Sequence, residues 1–238
     1  MTTMTTMTTM TTRTEGSADA VAILDAALAH LPFDGWTMAA LRRGATDRGL
    51  PAAAADIAFP GGPAEAIELW NAVCNDRMAA ALADIDLAAL RIRRRIATAV
   101  RLRIEAYGAG GVAGRETVRR TLSYLAAPGH AALAAKLLYR TVDEIWYRCG
   151  DTATDFNFYT KRALLAGVYS STLLCWLDDA GEDHAETWAF LDRRIDNVMQ
   201  VPKLTARLKP GALAKARLFD PARFARRVAT RLREGARG

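Results

Sequence analysis

The stretch from Asp151 to Asp179, DTATDFNFYTKRALLAGVYSSTLLCWLDD, constrains the fold more than any other part of the chain. It opens on Asp151, Thr152 and Thr154, residue types that start helices, and runs to Asp179 without a proline. Phe158, Leu165, Tyr169 and Trp176 recur at helical intervals, with Leu164, Val168, Thr172 and Leu173 between them. Nearly every face of such a helix is apolar or aromatic. A helix of that kind is either the centre of a bundle or one wall of an apolar cavity, and both readings stay open on pattern alone.

The rest of the chain reads as helix after helix. Alanine is abundant, glycine and proline punctuate, and the alternation that marks strands is missing. The spacing predicts helices near 17–31, 37–48, 51–58, 63–83, 86–107, 115–126, 129–149, 155–178, 183–200 and 221–234, an all-α fold of about ten helices. At 238 residues, 51% of them hydrophobic and 24% charged, the composition is that of a globular protein. No apolar run reaches the ~18–20 residues of a membrane span. Residues 1–16, with three Met-Thr-Thr repeats, read as a disordered low-complexity segment rather than a signal peptide. Cys74, Cys149 and Cys175 are far apart and odd in number, as expected of thiols in a reducing compartment.

Charge is uneven. From Lys203 onward eleven Lys/Arg face only Asp220 and Glu234, a balance of +9 within a total of +6, so the preceding 202 residues carry −3. The basic character belongs to the tail. Within it Asp220-Pro221 starts a last helix in which Phe224, Val228 and Leu232 fall on one side, preceded by Phe219. Arg223, Arg226, Arg227 and Arg231 occupy much of the remainder, the pattern of an interfacial helix on an anionic membrane surface. Docking of this helix on a partner or on its own bundle is the alternative. Six further arginines between Leu87 and Tyr107 (Arg91, Arg93, Arg94, Arg95, Arg101 and Arg103) read as a solvated helix face with buried hydrocarbon stems. The glycine-rich 108–114 follows a helix rather than a strand and reads as a linker, not a nucleotide cradle.

The first three short helices resemble the N-terminal helix-turn-helix of TetR-type repressors, down to Phe59 closing the third. Their chemistry does not suit DNA. A recognition helix needs side chains that reach phosphates and base edges, whereas Ala52–Phe59 carries one polar side chain, the anionic Asp56. The unit therefore reads as degenerate, with no nucleic acid expected. No Glu-x-x-His pair, Cys-x-x-Cys, His-Glu-x-x-His, Gly-x-Ser-x-Gly or GxxxxGK[ST] occurs, so no catalytic or metal-ligating residue and no cofactor is expected.

Gly150-Asp151, Thr154-Asp155-Phe156, Phe158-Tyr159-Thr160-Lys161-Arg162-Ala163, Leu165-Ala166, Val168-Tyr169, Thr172 and Asp178 carry a family resemblance, followed by Thr187-Trp188, Phe190-Leu191 and Arg193-Arg194-Ile195. In these motifs the chain closely resembles the ninth family of coenzyme Q biosynthesis proteins, lipid-binding accessory proteins with a TetR-like fold. The looser match runs from about Leu90 to Met199. The resemblance implies ubiquinone biosynthesis, an isoprenoid quinone or precursor as ligand, a di-iron hydroxylase of that pathway as partner, and a homodimer built on the last bundle helices. It also implies a docking patch on Asp155, Phe158, Tyr159 and Arg162, with Phe158 where many members have tryptophan. The spacing agrees, since those four share one helix face.

Leu165, Val168, Tyr169, Thr172 and Trp176 are expected to face Leu138, Val142 and Trp146 across an apolar cavity, with one or two hydroxyls for a ring head group. Solid packing of the same residues is the alternative. The expected organisation is thus a TetR-regulator-like bundle: a three-helix unit over 17–62, a lipid-binding bundle over 63–202, and a basic linker with an amphipathic helix over 203–238. The expected function is non-catalytic presentation of a ubiquinone precursor to the hydroxylase. The expected location is cytoplasmic and peripheral to a bacterial inner membrane. The alternatives are a TetR-type transcription regulator with an apolar effector pocket and a hydroxylase in its own right.

Overall fold

A computed structural model describes residues 18–108, 111–151 and 156–205, with backbone alone at 156–157 and 199–205. Every regular element among the described residues is helical. In order these are α1 (18–27), α2 (Leu31–Asp34), α3 (Met38–Asp47), α4 (Ala53–Ala58), α5 (Pro63–Ala83), α6 (Ile92–Glu105), α7 (Val112–Leu125), α8 (Ala131–Arg148), α9 (Phe156–Asp178) and α10 (Ala185–Thr205). The chain divides into two compact units, one of Met1–Val73 and Gly108–Leu125, the other of Cys74–Tyr107 and Ala126–Gly238. α5 thus contributes to both, and α7 joins the N-terminal helices although it lies within the 63–202 span that the sequence reading groups as one bundle. The segments 1–16 and 221–234 lie outside the described residues.

In the first unit, the helix expected over 17–31 ends at 27, and a short second helix follows at 31–34. A run continued from 27 to 34 would press the Pro32 ring against a preceding carbonyl and lack one N–H. The chain instead turns at 28–30 and restarts as the four-residue α2, with Pro32 in its first turn. α2 packs on α3 and α7. Trp36 follows it, its indole N–H donating to Thr121 Oγ1 at 2.8 Å and its ring lying 5.6 Å from that of Trp70. Thr37 caps α3 by accepting from the Ala40 amide. α3 then approaches α1 so closely at Gly44 that a Cβ there would lie 2.6 Å from the Ile23 carbonyl oxygen and 2.7 Å from the Ala27 nitrogen. Both are backbone atoms, so only glycine fits.

In the second unit α8 packs on α6 and α9, and α10 on α6 and α9. The expected helix over 86–107 begins instead at Ile92. Asp86 caps a short 3-10 turn at Leu87–Ala89, and Leu90 is extended. Arg95 reaches back to fix this entry: Nε donates to the Leu90 carbonyl at 2.8 Å, Nη2 to Ala88 at 3.2 Å and Nη1 to Cys149 at 3.3 Å. The six arginines of this segment are therefore not one solvated face. Arg95 serves backbone carbonyls, and Arg103 is wholly buried. α7 starts at Val112, inside the stretch read as a linker.

Candidate functional site

α9 is the central helix of the second unit. Leu165, Val168, Tyr169, Thr172 and Trp176 are all buried, as expected of its inner face. From α8, Val142 is buried, while Leu138 and Trp146 are half-buried. The hydroxyls expected to await a head group are engaged inside the protein. Thr172 Oγ1 donates to the Val168 carbonyl at 2.8 Å, and the Tyr169 and Tyr107 hydroxyls meet at 3.2 Å. Burial, first among the causes, raises the Tyr169 phenol pKa. The buried Trp146 Nε1 differs, because it meets no acceptor among the described residues.

Sequence reasoning missed the polar cluster beneath Tyr169. Arg103 donates from Nε to Asn75 Oδ1 at 2.6 Å and lies 4.3 Å from the Tyr107 ring centroid. Thr141 Oγ1 also approaches Asn75 Oδ1, at 3.4 Å. A guanidinium stays charged in such a place, so the core of this unit holds a fixed cation among phenols and an amide. The signal was in the periodicity: Arg103 stands seven residues after Ile96 and three after Val100, on the apolar stripe of α6. Cys74 and Cys149 are buried free thiols, and burial pushes Cys149 up to about 12, so it stays protonated near neutrality.

At its N-terminal end α9 is tied to α8 by charge. Arg162, expected on the docking rim, is buried instead. Its Nε donates to Asp143 Oδ1 at 2.6 Å, its Nη1 to Asp151 Oδ2 at 3.4 Å and to the Phe158 carbonyl at 3.3 Å. The guanidinium carbon sits 3.3 Å from the centroid of the Phe158 ring. Lys161 Nζ donates to the other Asp151 oxygen at 2.8 Å and lies 5.6 Å from the Trp146 ring. Asp143 is thus ion-paired, as is its neighbour Glu144, with Arg148.

What this network presents outward is Tyr159, 70% exposed, edge-on to the half-buried Phe158 at 5.2 Å. The four expected docking residues therefore do not share one exposed face. Tyr159 points out, Phe158 lies between, Arg162 points in, and Asp155 lies outside the described residues.

The turn into α10 is held by Asp179. Its carboxylate accepts from the Thr187 hydroxyl at 2.7 Å, the Thr187 amide at 3.0 Å and the Gly181 amide at 2.9 Å. The Thr187 hydroxyl, then the Gly181 amide, hold its pKa below the ordinary 3.8. A carboxylate whose folded pKa is depressed contributes stability in full above its unfolded value and loses it as pH falls through the folded one. Asp179→Asn is accordingly expected to lower Tm at neutral pH, with the gap to the parent protein closing as pH drops below 3.8; thermal unfolding across that range checks it.

Among the described residues no group of three or more His, Cys, Asp or Glu is placed to hold a metal ion. None of the described helices is long and apolar enough to cross a membrane. The eight residues expected on the membrane, Phe219, Arg223, Phe224, Arg226, Arg227, Val228, Arg231 and Leu232, lie outside the described residues.

Comparison with known proteins places this geometry. The COQ9 family model matches residues 131–202, the span of α8, α9 and most of α10. Ubiquinone biosynthesis protein COQ9, mitochondrial, of Rattus norvegicus is 35% identical over 196 residues, 79% of this chain and 61% of that protein. The Homo sapiens protein of the same name is 34% identical over 196 residues, 79% of this chain and 59% of its own length. The chain thus spans about three fifths of the length of these relatives. A TetR transcriptional regulator from Nitrosomonas europaea superposes with a TM-score of 0.60 at 19% identity, covering 76% of this chain and 97% of the regulator. The fold is TetR-like, and by the matched helices and these relatives the chain belongs to the COQ9 family.

Proposed function

We propose that the protein acts in ubiquinone biosynthesis as a non-catalytic accessory protein, binding an isoprenoid quinone precursor and presenting it to a di-iron hydroxylase. One observation carries this reading. The family match falls on the helices that hold the buried α8–α9 face and the exposed Tyr159. The inner face of α9 supplies apolar surface for a polyprenyl chain. With Tyr169 and Thr172 engaged internally, the indole N–H of Trp146, buried and without an acceptor among the described residues, is a donor left for a ring oxygen.

Such a cargo requires contact with the bilayer. Transfer of a polyprenyl chain into water costs ~0.8 kcal/mol per CH₂, whereas transfer from bilayer to apolar pocket is nearly neutral. The basic C-terminal segment supports that contact, and the proposal is of a homodimer working peripherally at a bacterial inner membrane. The reading is tested by deletion of the gene: cells are expected to lose ubiquinone and accumulate the precursor of one ring hydroxylation, restored by the wild-type chain. Normal ubiquinone in the deletion strain would refute it.

The TetR-like fold supports a transcription regulator as the second reading. The chemistry of α4 opposes it. The helix has six residues, its Asp56 is held by Arg42 in two hydrogen bonds of 3.0 and 2.7 Å, and Ile57 is its most exposed large side chain. A DNA shift assay across salt concentrations separates the readings, since a regulator loses affinity steeply as salt rises.

A further inference from the structure

The core of the second unit contains a charge that packing does not require. Arg103 is wholly buried on the apolar stripe of α6, where a leucine or methionine would fill the space without taking a charge out of water. Four helices of that unit bring polar groups to meet it: Cys74 and Asn75 from α5, Tyr107 just past α6, Thr141 from α8 and Tyr169 from α9. The ionisable groups that act on the guanidinium are the Tyr107 and Tyr169 phenols and the Cys74 thiol. Phenols and thiols are neutral near neutrality, and burial pushes the Tyr169 and Cys74 values higher still. A permanent cation therefore sits among groups that carry no charge.

The cluster is also rich in donors. A guanidinium, two phenols and the Thr141 hydroxyl converge, while the amide oxygen of Asn75 is already shared by Arg103 at 2.6 Å and Thr141 at 3.4 Å. The Tyr169–Tyr107 contact, at 3.2 Å, joins two neutral hydroxyls. An anionic oxygen competes for both of them with charge-assisted bonds of about twice the strength. Position favours a ligand as well. Tyr169 stands with Leu165 and Thr172 on the inner face of α9, and the half-buried Tyr107 carries the cluster toward the surface.

We propose that the cargo is held as an anion, its ionised ring hydroxyl on the Arg103 guanidinium with the Tyr107 and Tyr169 hydroxyls donating to it. The inference rests on the cargo reading above and names the head group: an acidic phenol or hydroxyquinone rather than a neutral ring. An entirely apolar interior would hold the tail equally well but would not distinguish one ring from another. The buried cation supplies that choice, because it favours the ring whose oxygen can ionise.

The test titrates the full chain with a prenylated hydroxynaphthoquinone, whose anion absorbs in the visible, and with geranylgeraniol, which has a tail and no acidic ring. The bound quinone is expected to stay ionised to at least about one pH unit below its midpoint in buffer, a tenfold preference for the anion. Arg103→Met is expected to return the midpoint to its buffer value and to bind geranylgeraniol as the parent does. An apolar chain of similar length in place of a buried charge is expected to keep the fold. Tyr169→Phe removes one donor and is expected to keep only part of the shift, which makes the test independent of how Arg103→Met folds. Geranylgeraniol bound with the quinone midpoint unshifted overturns the anion site and leaves the cargo reading standing. Neither probe bound overturns both. A shift kept in full by Arg103→Met or by Tyr169→Phe puts the anion elsewhere and overturns the proposal.

Discussion

Arg162→Ala is expected to lower stability by about 3 kcal/mol, the scale of breaking one partner out of a buried ion pair. For a chain of this size that corresponds to a Tm drop of about 6–12 °C. The side chains of Arg162 and Asp151 are 7% and 5% exposed, so neither is screened by water. Removing the guanidinium leaves the 42% exposed Asp143 to solvent, weakens the neutralisation of the buried Asp151 and takes the cation off the Phe158 ring. Lys161 remains on Asp151, which holds the expected loss to the lower part of the range for buried pairs. Arg162→Lys restores one charge but not the fork that reaches both acids, so it recovers part of the loss. Thermal unfolding measures both, and a Tm for Arg162→Ala within about 2 °C of the parent would show that the network does not hold α9 to α8.

Three residues earlier in sequence the expectation reverses. Tyr159→Ala removes a side chain that is 70% exposed and is expected to leave Tm unchanged. If the proposed function holds, affinity for the di-iron hydroxylase falls at least about tenfold, since a large exposed aromatic on a rigid helix is the kind of residue that dominates an interface. The two substitutions therefore separate what Arg162 and Tyr159 do. Arg162 sets the geometry of the helix end; in the proposed function Tyr159 makes the contact. Purified hydroxylase titrated against the two proteins by calorimetry measures this, and equal affinity for parent and Tyr159→Ala would remove Tyr159 from the docking surface.

Much of this fold could be read from the chain because its signals are local. The aromatic and aliphatic spacing over 156–178 gives α9 to within a residue or two, and the motif around Tyr159 marks the family. What escaped the sequence depends on contacts far apart in it. The helix read over 17–31 stops at 27, and the four-residue α2 that carries Pro32 in its first turn is too short for periodicity to announce. Arg103 was grouped with its neighbours by residue type, although its register on α6 pointed inward to Asn75 and Tyr107. Arg162 shares a helix face with Phe158 by spacing. Asp143, nineteen residues earlier on α8, and Asp151 turn its side chain under that face rather than onto it. The pairing of α7 with the N-terminal helices is likewise set by contacts such as Arg120 Nε to the Pro32 carbonyl at 3.1 Å, which no periodicity announces.

The inner face of α9 is closely engaged with its own neighbours, from the Tyr169–Tyr107 contact to the Thr172 hydroxyl on Val168. A hydrocarbon guest must therefore displace or line up beside side chains that already have partners. Native mass spectrometry of protein purified from ubiquinone-producing cells tests this most directly. The predicted result is a mass excess that matches an isoprenoid quinone or its precursor and disappears on organic extraction. Protein that carries no such lipid, and takes none up from vesicles loaded with it, would contradict the claim that this fold shelters a polyprenyl chain.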